Sequence, residues 1–280
     1  MDIKVERTSK SSVRAFIDVP SGGLDWSLLL RSDAHHDNAH CEQDLEKRHL
    51  DQARAKGAGV LDIGDLFCAM QGTFDPRQDK DQLRQEDSRN DYFDRLVDNA
   101  AKFYRPYAKH FLMMSPGNHE KGVLKRHGTD LTRRLGEALG VPVGTYQGWF
   151  ILSFKIHGTH YTSFKMRYTH GYGGGGPVTK DLIQLNRQLA VVEDADFFLS
   201  GHTHDAWYVP VQREMIGHDL IPRTREVAAI KIGGYKDEWE DGDGWANTMG
   251  RSPRPKGGWW VHFRSTTNGM VKYTVERCGD

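Results

Sequence analysis

The stretch WSLLLRSDAHHD, residues 26–37, decides how this chain reads, because an apolar run stops abruptly at a carboxylate and two imidazoles. Trp26 to Arg31, with Leu28 to Leu30 at its centre, reads as a buried strand. The same switch recurs: Gly59 to Ile63 (GVLDI) runs into Gly64-Asp65, and Phe111 to Ser115 (FLMMS) into Gly117-Asn118-His119-Glu120. Ala195 to Leu199 (ADFFL) runs into Gly201-His202-Thr203-His204. Trp149 to Ile156 and Thr159 to Tyr168, separated by His157 and Gly158, predict a β-hairpin that leads into Thr169-His170-Gly171. Loops at the carboxyl ends of strands are where sheets of this kind place ligands.

Helical patterns alternate with these runs, so the chain predicts a layered α/β architecture. Leu45, Leu50 and Ala53 share a helix that stops at Gly57. Tyr92, Phe93, Leu96, Val97, Ala100, Phe103, Tyr104 and Tyr107 recur at helical spacing on one face, a packing stripe. Thr129 before Leu131, Leu135 and Leu139, and Thr179 before Leu182, Leu185 and Leu189, predict two further capped helices. From Trp207 onward the pattern is all strand: 207–211, 227–232, 259–264 and 271–275. Two segments break the alternation: a charged insertion at about 72–91, read as solvated, and a long loop at 233–258.

At 280 residues the chain predicts one domain spanning 1–280. Lys plus Arg and Asp plus Glu both total 38, which excludes a generalised basic surface for nucleic acid and leaves only a local patch. Three widely spaced cysteines argue against a disulfide framework and fit a reducing compartment. The N-terminus lacks the apolar core of a signal peptide, and no run approaches the ~20 apolar residues of a membrane span. These features predict a soluble, cytoplasmic protein with no membrane partner.

The polar clusters offer Asp33, His35, Asp65, Asn118, His170, His202 and His204 as metal ligands. Carboxylate, imidazole and amide oxygen suit divalent manganese, iron or zinc, and the absence of thiolates argues against a closed structural zinc site. Seven ligands are too many for one ion. A pair ~3.5–4 Å apart would use them all and is a common arrangement for phosphate-ester hydrolysis.

DxH, GD, GNHE, a single His and GHTH, in this order over residues 33–204, resemble the calcineurin-like metallophosphoesterase superfamily. The resemblance implies two central mixed β-sheets flanked by helices, a four-layer αββα sandwich with the site at one end. It implies that Asp33, His35 and His204 bind a first ion, that Asn118, His170 and His202 bind a second, and that Asp65 bridges them. Manganese is the expected metal, with iron or zinc as alternatives. His119 is implied to face the substrate and protonate the leaving oxygen rather than to bind metal.

The chain departs from the phosphatase branch, whose longer motif GDxxDRG carries an Asp that orients the catalytic His and an Arg that grips phosphate. Residues 64–70 here are GDLFCAM, so Cys68 stands in place of that Asp and Met70 does not replace the Arg beyond it. GDLF is instead similar to the DNA-repair nuclease branch. The expected function is therefore hydrolysis of a phosphodiester of a nucleotide or nucleic acid. The alternatives are a phosphomonoesterase acting on a metabolite or phosphoprotein, and a metal-free scaffold, which should have lost ligands. His36, Asp37 and His40 are candidates for supporting the ligands, Gly173 to Gly176 for a rim, and Arg251, Arg254 and Lys256 for local positive charge.

Overall fold

The computed structural model of the chain describes all residues except 1, 20–22, 73–74, 77, 79–81, 159, 175, 177, 240–243, 268–269 and 280. Its strands are β1 (Asp2–Ser9), β2 (Ser12–Val19), β3 (Asp25–Arg31), β4 (Gly59–Asp62), β5 (Phe111–Met114), β6 (Gln147–Ile156), β7 (His160–Thr169), β8 (Phe197–Ser200), β9 (Trp207–Ile216), β10 (Pro222–Lys231), β11 (Trp259–Ser265) and β12 (Val271–Arg277). The main helices are α1 (Gln43–Lys56), α2 (Tyr92–Tyr104), α3 (Asn118–His127), α4 (Leu131–Leu139) and α5 (Leu182–Val191).

The strands form two mixed sheets, ordered β1-β2-β6-β7-β8-β10-β9 and β12-β11-β3-β4-β5. Strand periodicity explains how they stack. Leu28 and Leu30 of β3 enter the core between the sheets with Ile17, Phe154, Phe197, Ile230 and Phe263. Leu29 between them points the other way, into a second core with Leu50, Leu96, Ala100, Tyr104 and Leu135 from the helices. With both faces covered, the centre of β3 carries three consecutive leucines, Leu28 to Leu30, hence the continuous apolar run. On the far side, Leu185 of α5 packs on Phe198 and Ala229, which completes four layers in the order helix, sheet, sheet, helix.

Within each sheet the parallel strands bring their carboxyl ends to one edge. β3, β4 and β5 run parallel in the smaller sheet, as do β7, β8 and β10 in the larger. The polar clusters follow β3, β4, β5, β7 and β8, so this edge gathers them all. Among the described residues no helix is long and apolar enough to cross a membrane.

The structure corrects several details. The cap of α4 is Asp130, whose carboxylate accepts from the Arg133 amide at 3.0 Å, rather than Thr129. Asp181, rather than Thr179, precedes α5, and its carboxylate is drawn to the buried Lys231 ammonium at 2.5 Å instead of capping the helix. The GNHE cluster opens α3, a helix that the sequence, with Gly122 inside it, does not announce. The β1–β2 hairpin was also not foreseen, although Val13, Ala15, Ile17 and Val19 alternate inward along β2.

Candidate metal centre

The ligand loops are held in costly backbone conformations. Asp33, His35, Asp65, His202 and His204 all have φ between 46° and 77°, a region that side-chain-bearing residues rarely adopt. The loops fix one another there. The Asp33 amide donates to Gly64 O (2.8 Å), the His35 amide to Asp65 O (3.0 Å), and the Gly201 amide to His170 O (2.9 Å). The carboxylates join in, with Asp33 Oδ2 accepting from the His202 amide (2.8 Å) and Asp65 Oδ1 from the His119 amide (2.9 Å). Gly117 is required for this closeness, since a Cβ there would lie 2.1 Å from Asp65 Oδ1.

The side chains converge in two groups. In the first, His204 Nε2 lies 3.2 Å from His35 Nε2 and 3.5 Å from Asp33 Oδ1. In the second, His170 Nε2 lies 3.0 Å from Asp65 Oδ2 and 3.1 Å from Asn118 Oδ1, which is 2.7 Å from His202 Nδ1. Asp33 Oδ1 also faces His170 Nε2 across the groups, at 3.8 Å. Two atoms that each sit about 2.1 Å from one ion are ~3.0 Å apart across an octahedral edge and ~3.4 Å across a tetrahedral one. The observed spacings fall in and around that range. Asp33 Oδ1 is moreover buried without a hydrogen-bond partner, which a carboxylate oxygen tolerates only opposite positive charge. The donor set and its spacing thus fit divalent ions.

The electrostatics agree. Burial pushes Asp33 and Asp65 up, yet His170 and its neighbours outweigh it and hold both well below the usual carboxylate range. Burial likewise opposes charge on His170 and His204, but Asp65 and Asp33 raise His170 to about 9, and Glu238 with Asp33 raises His204 to about 10. Across the pocket floor, carboxylate and imidazole thus each favour the charged form of the other.

His119 stands beside the groups, its ring centroid 4.9 Å from that of His35. Its Nδ1 lies 2.6 Å from the Cys68 backbone oxygen, so the main chain orients the ring. The Cys68 thiol is instead 3.1 Å from Asn38 Nδ2, and burial pushes it up to about 12, leaving it neutral. Asp37 supports this turn by accepting from the amides of Cys68 (2.6 Å) and Ala69 (2.8 Å). Glu120 ties two ligand loops together, accepting from the amides of Phe67 and Gly117, both at 2.8 Å. His36 points away from the site, to Glu46 at 2.8 Å. His40 lends its backbone oxygen to the Asp237 amide (2.9 Å).

A cavity of about 620 Å³ opens over the site. His35, Asp65, Asn118, His119, His202 and His204 face it from below. Met70, Gln78 and Gln82 line one part of its wall, and Lys236, Glu238 and Arg251 another. The 72–91 insertion is therefore more than solvated surface, although 73–74, 77 and 79–81 lie outside the described residues. Lys236 Nζ reaches Gln82 Oε1 at 2.8 Å and so joins the two irregular segments. Of the cations noted in the 233–258 loop, Arg251 lines the cavity, whereas Arg254 pairs with Asp205 (3.4 Å) and Lys256 with Glu42 (2.5 Å). Gly173 and Gly174 form part of the rim, and Gly175 lies outside the described residues. Sequence reasoning missed Glu238, Lys236, Gln78 and Gln82. Only the length of the 233–258 loop and its aromatics Tyr235, Trp239 and Trp245 hinted at a role for its residues.

No family model matches the chain, and no curated protein matches it. Solved structures that resemble it include a Thermotoga maritima protein solved in solution (14% identity, TM-score 0.33, covering 90% of this chain and 99% of that one). A conserved Streptococcus pneumoniae protein described as a predicted phosphoesterase matches at 12% identity and TM-score 0.34, covering 90% and 99%. Chaetomium thermophilum Vps29 matches at 13% identity and TM-score 0.33, covering 90% and 95%. With TM-scores of 0.33–0.34, these likenesses carry no weight in the argument for function.

Proposed function

We propose that the chain is a two-metal phosphoesterase of the calcineurin-like kind, hydrolysing a phosphodiester of a nucleotide or nucleic acid. The observation that carries this reading is the pair of mixed carboxylate, imidazole and amide groups, spaced as ligands of shared ions, on the floor of an open cavity. Asp33, His35 and His204 would hold one ion, and Asn118, His170 and His202 the other. Asp65, whose Oδ2 faces His170 Nε2 at 3.0 Å, would serve both. The ions, manganese by preference and iron or zinc as alternatives, would supply Lewis acidity to the attacking water and to the phosphoryl oxygens.

The remaining chemistry belongs to the chain's own groups. With Nδ1 donating to the Cys68 carbonyl, His119 in its imidazolium form would carry a second proton on Nε2, which it can pass to the leaving oxygen. Lys236 and Arg251 add positive charge along the wall. Retention of all seven candidate ligand residues argues against a metal-free scaffold.

The diester preference rests on the GDLF likeness and on the missing phosphate-gripping Arg, whose position falls on Ala69. Lys236 and Arg251 favour the alternative, because a monoester carries the extra negative charge they could neutralise. Hydrolysis of paired nitrophenyl diester and monoester phosphates by the manganese-loaded protein decides between them. A higher kcat/KM on the diester is expected, and a clear preference for the monoester would replace that reading.

A further inference from the structure

We infer that Glu238 is a positioning residue of this centre, its carboxylate standing behind the His204 ring so that Nε2 is directed at the ion shared with Asp33 and His35. The inference rests on the metal reading above. The geometry is that of a carboxylate behind an imidazole: Glu238 Oε2 lies 3.5 Å from His204 Nδ1, an ion-pair distance, while Nε2 on the far side of the ring faces His35 Nε2 and Asp33 Oδ1, with which it would hold the ion. An imidazole can keep a bare nitrogen toward a metal only if its proton sits on the other nitrogen, and an acceptor behind the ring selects that tautomer.

The second group offers a comparison. His170 turns Nδ1 to the backbone oxygen of Ile63 at 3.1 Å and Nε2 to Asp65 and Asn118. Each group therefore has one imidazole backed from behind, by a neutral carbonyl in one case and by a carboxylate in the other. The charged acceptor makes its imidazole the more basic ligand.

Glu238 itself sits on a fixed support. Gly234 approaches so closely that a Cβ would lie 2.9 Å from Asp33 O and 3.3 Å from His204 Cγ. The next amide, of Tyr235, donates to Asp33 O at 2.9 Å, and Tyr235 O accepts from the Glu42 amide at 2.8 Å. Beyond Glu238, its own carbonyl accepts from the Ala246 amide at 2.9 Å. The segment after β10 is thus built against the ligand loops, and the Glu238 carboxylate, 15% exposed, belongs to the centre rather than to the solvated loop.

The test is calorimetric titration of the metal-stripped protein with Mn²⁺. Wild type should bind two ions. E238A should weaken one class of site by ~10–100-fold and leave the other unchanged, as loss of such an outer partner does. E238Q, which keeps an acceptor oxygen but not the charge, should fall between the two, and it serves as the probe if E238A does not fold. Two sites of wild-type affinity in both variants, or equal weakening of both sites, would overturn the role of Glu238. Fewer than two ions bound by wild type would instead sink the metal reading, and this inference with it.

Discussion

His119 Nδ1 lies 2.6 Å from the backbone carbonyl oxygen of Cys68, so the residue that replaces an orienting Asp in sequence orients the ring with its main chain instead. The side chain at 68 is consequently free of that duty. Cys68→Ser should leave kcat and its pH profile within about twofold, because the carbonyl persists whatever the side chain. A shifted pH profile would show that the thiol itself acts on the ring.

His119→Ala should keep both ions while kcat falls by ~10²–10⁴, the usual worth of a positioned acid. The loss should shrink for nitrophenyl esters, whose leaving group needs little protonation. Elemental analysis of the variant separates the roles. A lost ion would make His119 a ligand and overturn its assignment as the acid.

On the proposed assignment Asp65 would serve both ions, its Oδ2 facing His170 Nε2 at 3.0 Å while Oδ1 accepts from the His119 amide at 2.9 Å. Asp65→Asn should therefore weaken both sites, whereas Asn118→Ala should weaken one. Mn²⁺ titration of the two variants distinguishes them, and loss of a single site in Asp65→Asn would rule out a bridge.

Lys236 joins the two cavity walls through its 2.8 Å contact with Gln82. If it also meets substrate phosphate, Lys236→Ala should raise KM by ~10–100-fold, the worth of a charge-assisted hydrogen bond, with a smaller change in kcat. The effect should be larger for a monoester than for a diester. Equal KM values for wild type and variant would confine Lys236 to bracing the wall.

Stability should depend on pH through the buried Arg31, whose guanidinium reaches Glu46 at 2.6 Å and Asp62 at 2.8 Å. Burial pushes Glu46 up, but His36 and Arg31 outweigh it and lower the carboxyl from 4.5 to about 2. Its contribution is fully present above about pH 4.5 and is lost as the pH falls through about 2. For Asp62 burial wins, raising it from 3.8 to about 6, so its ionised form costs stability above about pH 6 and the cost eases on acidification. Glu46→Gln should destabilise the fold by ~3–5 kcal/mol at neutral pH, the penalty for unpairing a buried charge. Urea unfolding should find that difference shrinking toward about pH 2, and a pH-independent difference would contradict the ion-pair account.

Much of this was legible in the sequence because strand ends and short motifs are local signals. Leu28, Leu29 and Leu30 announce a strand covered on both faces, and the polar residues that follow it can only lie at the sheet's edge. What escaped depends on tertiary partners. Nothing near Glu238 in sequence indicates His204, and nothing in a charged insertion indicates that Gln82 will meet Lys236 from another loop. Thr179 looked like a cap because the competing ion pair between Asp181 and Lys231 spans two distant segments. Cys68 looked like a lost orienting group because a motif compares side chains, and here the carbonyl performs the task.

The most direct test of the central claim is the rate of hydrolysis of a nitrophenyl phosphodiester by metal-stripped protein, measured as Mn²⁺ is added and bound metal is counted. Activity should be absent without metal and should rise to a plateau as bound Mn²⁺ approaches two ions per chain. A plateau at one ion, or no hydrolysis of either diester or monoester with two ions bound, would contradict the two-metal phosphoesterase account.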